Sequence, residues 1–573
     1  MGWPGFTDYQ DAFQHPRLVF GDEPLRGGTV ALDSNDLPLP LSGAMAITFT
    51  VTGSDRKKYA IRCFQREMPD VESRYMLIDK AIKTRLSDSS YFVDFHFRRD
   101  GLNIAGGRYP YVQMKWVEGI TLGSYLNANY LNAGAMDQLQ QRFSAMAGYL
   151  GSKGVAHGDI QNLNVMVERN GNLCLIDYDG MFVPGMRSGD GTETGLRYFQ
   201  HPDRAPEHFG PEIDRFSFIA VDLSLSAVKE DASLFPRFRE GGETIIFKAN
   251  DFTDPASSPI FSLLFQRPSL KDAASRFAAI CKGKITAVPT LDDFRAGRNI
   301  PSGPVIQLGV APAVKAVRQA YIAAYPVIDA ASFPAASARF GQRVELVGQI
   351  KRVQPGMTRY KKPFVFLHFC EKGQDGVRIV FWSEALASMA EAPDTSWEGR
   401  WINCSGLLSD MYPRQRSKRS PHISVGIVIQ TASQISRIDK DEAMYRLGRG
   451  DASQAASPGL TLSNAEKFKV LTEGRVPGSP RAKPPSASPP APPRPTRSPP
   501  APPLTDNQRR FQEMQARARS AQPATPPQTR ASASTSQATH SIPPTESRGT
   551  FWLTRVPWWV WGIVALIVLS RLR

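Results

Sequence analysis

Cysteine is scarce in this chain. Five cysteines, Cys63, Cys174, Cys281, Cys370 and Cys404, are spread over 573 residues. Their odd number and the lack of any C-x-x-C spacing argue against a disulfide framework or a cysteine zinc site, and for free thiols in a reducing compartment. Export signals are lacking too. Met1-Gly2-Trp3-Pro4-Gly5 has no basic stretch and no apolar run follows it, so no signal peptide is expected. From 448 to 549 apolar bulk is scarce and Pro, Ser, Ala, Thr and Gln dominate. Such a segment cannot bury a core and is expected to be a disordered linker with polyproline stretches. The remainder is different. Hydrophobic residues make up 41% of the chain, enough for several packed domains. A net charge of +15 suggests an anionic partner such as nucleic acid, acidic lipid or nucleotide.

The most informative stretch is His157-Gly158-Asp159-Ile160-Gln161-Asn162-Leu163-Asn164, followed by Leu175-Ile176-Asp177-Tyr178-Asp179-Gly180. Either piece alone reads as an ordinary turn, since Asp-Gly accepts positive φ. Together they bracket an apolar run Val165–Val167, a turn at Asn170-Gly171-Asn172 and a returning strand Leu173–Ile176. H-x-D-x-x-x-x-N followed by a D-F-G-like turn resembles the catalytic core of protein-kinase-like enzymes. The resemblance implies that Asp159 holds and deprotonates the acceptor hydroxyl, and that Asn164 and Asp177 hold magnesium on the phosphates of ATP.

Upstream, Ala46–Val51, Tyr59–Phe64, Tyr91–Phe97 and Tyr109–Trp116 read as strands, and Ala135–Leu150 as a helix with apolar residues at helical spacing. Met114 to Gly119 resembles the hinge where backbone groups meet adenine, so Met114 and Trp116 are expected at the nucleotide. Arg62 stands where these enzymes carry the phosphate-holding Lys. It keeps the charge but replaces a compact ammonium with a planar fork. Lys58 lies roughly 13 Å back along the strand, at ~3.3 Å per residue, too far to substitute. Gly43 is the one glycine near the expected phosphate loop, and Glu72 or Asp79 is the expected carboxylate partner of Arg62. Downstream, Asp214-Arg215-Phe216-Ser217 resembles the helix start whose Asp braces the catalytic loop. Taken together these motifs are similar to those of bacterial eukaryotic-like Ser/Thr protein kinases, over residues 25–295. The His-Gly-Asp variant also occurs in small-molecule kinases resembling aminoglycoside phosphotransferases. Without the loop Arg, no activation-segment phosphate switch is expected over Met181–Arg197.

A second domain is expected over residues 335–440. Five short strands with glycines at bends resemble an OB-fold barrel. Alternation puts Val365, Leu367, Phe369, Val377, Ile379 and Phe381 in its core. The other face carries Phe364, Phe366, Arg378 and Trp382. With Lys361 and Lys362 in one loop and Arg414 and Arg416 in another, it suggests a stacking platform for single-stranded nucleic acid. The alternative is that these aromatics pack under a helix near Glu384–Ala390.

The chain ends on an apolar, Trp-rich run flanked by Arg555 and Arg571. Residues 552–570 are expected to form a single transmembrane helix, a tail anchor in the cell inner membrane with the catalytic domain cytoplasmic. The expected fold class is therefore α+β: a bilobal protein-kinase-like fold, a small all-β OB-like barrel, a disordered linker and the membrane helix. The leading expected function is a membrane-tethered kinase transferring the γ-phosphate of ATP to Ser/Thr hydroxyls of a protein substrate. A pseudokinase nucleotide switch and a nucleic-acid-binding effector with a regulatory kinase-like half are the alternatives.

Overall fold

A computed structural model describes residues 3–33, 36–42, 46–67, 70–302, 320–358, 361–389, 391–412 and 422–449. All of them fall within one compact unit of the chain. The first sheet comprises β1 (Thr29–Val30), β2 (Pro40–Ser42), β3 (Ala46–Thr52), β4 (Lys58–Phe64), β5 (Phe95–Ile104) and β6 (Gly107–Lys115). The strands run in the order β1-β3-β4-β6-β5, with β2 also on β3. Side-chain alternation along β4 sorts the residues onto two faces. Ile61 and Cys63 join Phe49 and Val51 against an N-terminal aromatic group, Phe6, Tyr9, Phe13 and Phe20. Phe13 stacks on Phe49 with ring centroids 4.4 Å apart, and the Tyr9 hydroxyl donates to Phe64 O. Packing of this sheet thus begins well before residue 25. Ala60, Arg62 and Phe64 take the other face, towards the helix Val71–Thr84, which buries Tyr75 and Ile78.

The helical part follows. The helix Ala133–Lys153 starts at Asn132, whose side chain accepts from Ala135 N, and stops at Gly154, where φ is +65°. It packs on the helix Arg215–Glu230, which is buried along most of its length. A small antiparallel sheet joins β7 (Gly119–Thr121), which precedes the first of these helices, to β8 (Val165–Glu168) and β9 (Leu173–Leu175), which follow it. The β8–β9 turn presents Asn164 at one end and Asp177 at the other, and Ile176 N donates to Asn164 O at 3.0 Å.

The third sheet holds β10 (Val327–Asp329), β11 (Arg343–Gln349), β12 (Arg352–Met357), β13 (Pro363–His368), β14 (Gly376–Phe381), β15 (Trp401–Tyr412), β16 (Ser424–Ile429) and β17 (Ile435–Ile438). Its order is β10-β11-β15-β16-β14-β13-β12, with β14 and β16 parallel. β11 leads into β12 through Ile350 and Lys351, and β11, β13, β14, β15 and β16 all contribute to one buried core, so the sheet curls into a small barrel-like body. Val365, Leu367, Phe369, Val377, Ile379 and Phe381 fill its core, as the alternation requires. β12 was not expected, since Pro355 and Gly356 mask it in sequence. It makes Arg352–Met357, just ahead of the loop holding Lys361 and Lys362, into strand.

The expected fold needs correction. The described chain is α+β with three sheets, and no helix among the described residues is long and apolar enough to cross a membrane. The helix Ala133–Lys153, at 21 residues, has the length, but Asp137, Gln140, Gln141, Arg142 and Lys153 make it a half-solvated bundle helix. Residues 552–570, where the span was placed, lie outside the described residues, as do 450–549 of the expected linker.

Candidate active site

A cleft of about 1530 Å³ is lined by Arg62 and Met114 from the first sheet, Trp116 just beyond it, Asp159, Asn164 and Asp177 from the loops, and Glu193 from the segment beyond. Six of the residues expected at the nucleotide, the metal and the acceptor hydroxyl therefore face one space, and Lys362 and Trp382 of the expected nucleic-acid face line it too. The loop carrying Asp159 is held from behind. Asp214 accepts from His157 N (2.5 Å) and Gly158 N (2.7 Å), and buried His157 donates from Nε2 to Ile176 O (2.9 Å). Burial lowers the His157 pKa, keeping the ring neutral for that role. Gly158 has φ +82°, and a Cβ there would stand 2.1 Å from Gly180 O. The His-Gly-Asp spelling follows from this contact, for no side chain fits where the two loops cross.

Asp159 accepts three hydrogen bonds. Oδ1 accepts from Leu196 N (2.7 Å), and Oδ2 accepts from Gln161 Nε2 (2.5 Å) and Asn164 Nδ2 (2.8 Å). Burial pushes its carboxyl up to about 6, against the pull of these bonds. A carboxylate has about four acceptor positions, so one remains for an incoming hydroxyl. Asp177 sits in the left-handed region at φ +68°, uncommon for a non-glycine residue and frequent where strain serves a site.

Arg62 is buried and bridges two carboxylates. Nη1 donates to Asp177 Oδ2 at 3.2 Å, and Nη2 pairs with both Asp177 and Asp179. Burial opposes its charge, but Asp177 and Asp179 outweigh that and hold the guanidinium above its ordinary pKa. The expected carboxylate partners are elsewhere: Glu72 pairs with Arg99, and Asp79 with Lys83 at 2.7 Å. From the same helix it is Tyr75 that reaches in, donating its hydroxyl to Asp179. Burial raises the Tyr75 pKa, keeping it a donor. Lys58 lies 4.0 Å over the Trp116 ring, away from the carboxylates, and Trp116 N already donates to Lys58 O at 3.0 Å.

No protein-family model matches the chain, and no curated protein matches it in sequence.

Sequence reasoning missed Asp179, Tyr75 and Glu193. Asp179 was visible inside the Asp-Tyr-Asp-Gly motif, and Tyr75 in the helical phase it shares with Ile78. Glu193 carried no signal. Its Oε1 is buried without a partner. Burial, then Asp179 and Asp177, push its carboxyl up to about 8. Burial likewise raises Asp177, partly countered by Arg62. Gly43, Arg414 and Arg416 lie outside the described residues. On the barrel, Phe364 and Phe366 stack at 4.5 Å, Trp382 meets both edge-on, and Arg378 lies 4.5 Å over Phe366. These rings are partnered by one another and half-buried, and Arg378 is buried. Lys362 pairs with Glu384 at 3.2 Å, while Lys361 is exposed at a turn with φ +59°.

Proposed function

We propose that this protein is a protein kinase-like phosphotransferase that moves the γ-phosphate of ATP to a Ser or Thr hydroxyl of a protein. The reading rests above all on Asp159, Asn164, Asp177 and Arg62 facing one cleft, with Asp214 fixing the loop between them. Ala60, Met114, Val117, Met166 and Ile176 offer an apolar slot for adenine along the same cleft. Asp159 would orient the acceptor hydroxyl and take its proton. The hydroxyl oxygen then bonds to the γ-phosphorus as the bond to the ADP oxygen breaks. A carboxyl pushed up to about 6 is mostly ionised at neutral pH and well matched to that proton.

Magnesium fits the acidic balance. Asp179, Asp177 and Asp159 all act on Glu193 electrostatically, and Arg62 acts on it in the opposite sense. Among the described residues no three His, Cys, Asp or Glu side chains form a ready-made metal centre. This suits Mg²⁺, which takes one or two carboxylates and completes its shell with phosphate oxygens and water. Asn164 and Asp177 would hold it. Bound there, it would offset charge on the phosphate oxygens.

One observation favours a second reading. Arg62 already occupies Asp177, so the chain would bind nucleotide as a switch without efficient transfer. The full chain incubated with γ-labelled ATP, Mg²⁺ and a generic protein substrate distinguishes the two. Transfer that falls roughly 10²- to 10⁴-fold in Asp159→Ala is expected from loss of a general base. ATP binding with no transfer by the native chain would overturn the enzyme reading in favour of the switch.

A further inference from the structure

We propose that the barrel positions the loop His157–Asn164 through the five residues Glu240-Gly241-Gly242-Glu243-Thr244. The reading of that loop as catalytic comes from the proposed function. The mechanical coupling comes from contacts on both sides of this short segment.

Towards the cleft, Asn162 sits between Asp159 and Asn164 and is 1% exposed. Its Nδ2 donates to Gly242 O (3.2 Å) and Thr244 O (2.9 Å). Towards the barrel, Glu243 accepts from Arg343 Nη2 and Tyr325 Oη, both at 2.9 Å. Glu240 pairs with Arg446 and accepts from Asn403 Nδ2 at 3.3 Å. Arg343 lies on β11, Asn403 on β15 and Arg446 on the helix Lys440–Arg446, so both acidic side chains are gripped by the barrel. The glycines make this two-sided geometry possible. Gly241 and Gly242 have φ +59° and +78°, which turns the carboxylates one way and the carbonyls the other. A Cβ on either would already stand within 3.4 Å of a barrel serine hydroxyl, Ser405 or Ser433.

Burying charged pairs is a weak way to gain stability, and apolar docking would serve a plain interface better. Such pairs are best explained where they fix one register. Here the register fixed is that of Asn162, and through it the spacing of Asp159 and Asn164. Glu243–Arg343 and Glu240–Arg446 are thus positioning pairs. A chain cut near residue 295 would lose both barrel arginines.

Hydrogen exchange on the full chain tests this without any activity assay, so failure of the phosphotransfer reading would leave the outcome interpretable. In Arg343→Met, amides of the segment 157–166 should exchange roughly tenfold faster, while β13 and β14 keep native protection and report a folded barrel. Arg343→Lys, which keeps the charge, should recover most of the protection. Asn162→Asp removes the donor to both carbonyls. It should give the same acceleration, and the Arg343→Met/Asn162→Asp double variant should add little beyond either single change. Unchanged exchange at 157–166 in a folded Arg343→Met protein would overturn the proposal, and so would full additivity in the double variant.

Discussion

Arg62 and Arg446 are alike in setting and differ in how fully cations offset the acids around them. They are 6% and 7% exposed, and both pair with carboxylates beside a tyrosine hydroxyl, Arg62 with two and Arg446 with three, Glu442 being the third at 2.8 Å. Arg446 joins Glu240 and Glu345, the latter at 3.1 Å, with Tyr321 Oη 3.2 Å away. Lys248 also pairs with Glu240, and Arg343 serves neighbouring Glu243. Burial works against the Glu240 charge, yet Lys248 and Arg446 hold its carboxyl below the ordinary value, whereas at Glu345 burial outweighs Arg446 and pushes the carboxyl up to about 7. Around Arg62 the carboxyls of Asp159, Asp177 and Glu193 are all raised, with burial the largest cause in each. Cations nearly match acids at the barrel junction, whereas the cleft is left acidic. The first arrangement fixes structure; under the function proposed above, the second would be completed by Mg²⁺.

Removing each arginine should expose this difference. Arg446→Met leaves Glu240 and Glu345 buried without their shared cation, which typically costs about 3–5 kcal/mol. The melting temperature should fall by about 2–4 °C for each of those kcal/mol. Arg62→Met should cost less, because one of its two carboxylates, Asp177, lines a cleft that water and cations enter, while buried Asp179 keeps the Tyr75 hydroxyl. A calorimetric loss for Arg62→Met equal to that for Arg446→Met would erase the contrast.

Magnesium sharpens it further. A ligand that binds the folded state at 100 times its dissociation constant stabilises by about 2.7 kcal/mol. Mg²⁺ should raise the melting temperature of the native chain, and raise that of Arg62→Met more, since the ion no longer competes with a guanidinium for Asp177. Arg446→Met should respond like the native protein. A larger Mg²⁺ shift in Arg446→Met than in Arg62→Met would reverse the assignment of the two sites.

How far the sequence discloses these clusters depends on the distance along the chain. Asp159, Asn164 and Asp177 are legible because a single turn and hairpin carries all three. The braces at Asp214 and the core alternation of β13 and β14 are legible for a similar reason, since local spacing decides them. The partner of Arg62 is not. Glu72 and Asp79 satisfy themselves on neighbouring cations, and only the inward phase of Tyr75 and Ile78 hints at what the helix contributes. Phe6, Phe13 and Phe20, seven residues apart, announce the N-terminal apolar group that the boundary at residue 25 overlooked. The segment Glu240–Thr244 has no local signal at all. Its meaning arises only when β11 and the helix Lys440–Arg446, a hundred residues or more away, are folded against it.

Glu193 carries the smallest and most specific difference between the clusters. Its carboxyl is pushed up to about 8 from an ordinary value near 4.5, first by burial and then by Asp179 and Asp177. Between those two values the folded protein holds a proton that the unfolded chain has released, so stability falls as pH rises through that window. Glu193→Gln removes the titration while keeping the shape. In magnesium-free buffer its melting temperature should match that of the native chain near pH 5. It should then exceed it by a few degrees near pH 8, on a scale of about 2–4 °C per kcal/mol. Asp159 and Asp177 titrate in both proteins and largely cancel in the difference. With saturating Mg²⁺ the gain should vanish or reverse, because the cation then favours the ionised carboxylate that Gln lacks. An offset of equal size at pH 5 and pH 8 would mean that Glu193 is packed as an ordinary side chain, and the acidic surplus of the cleft would shrink to the three aspartates.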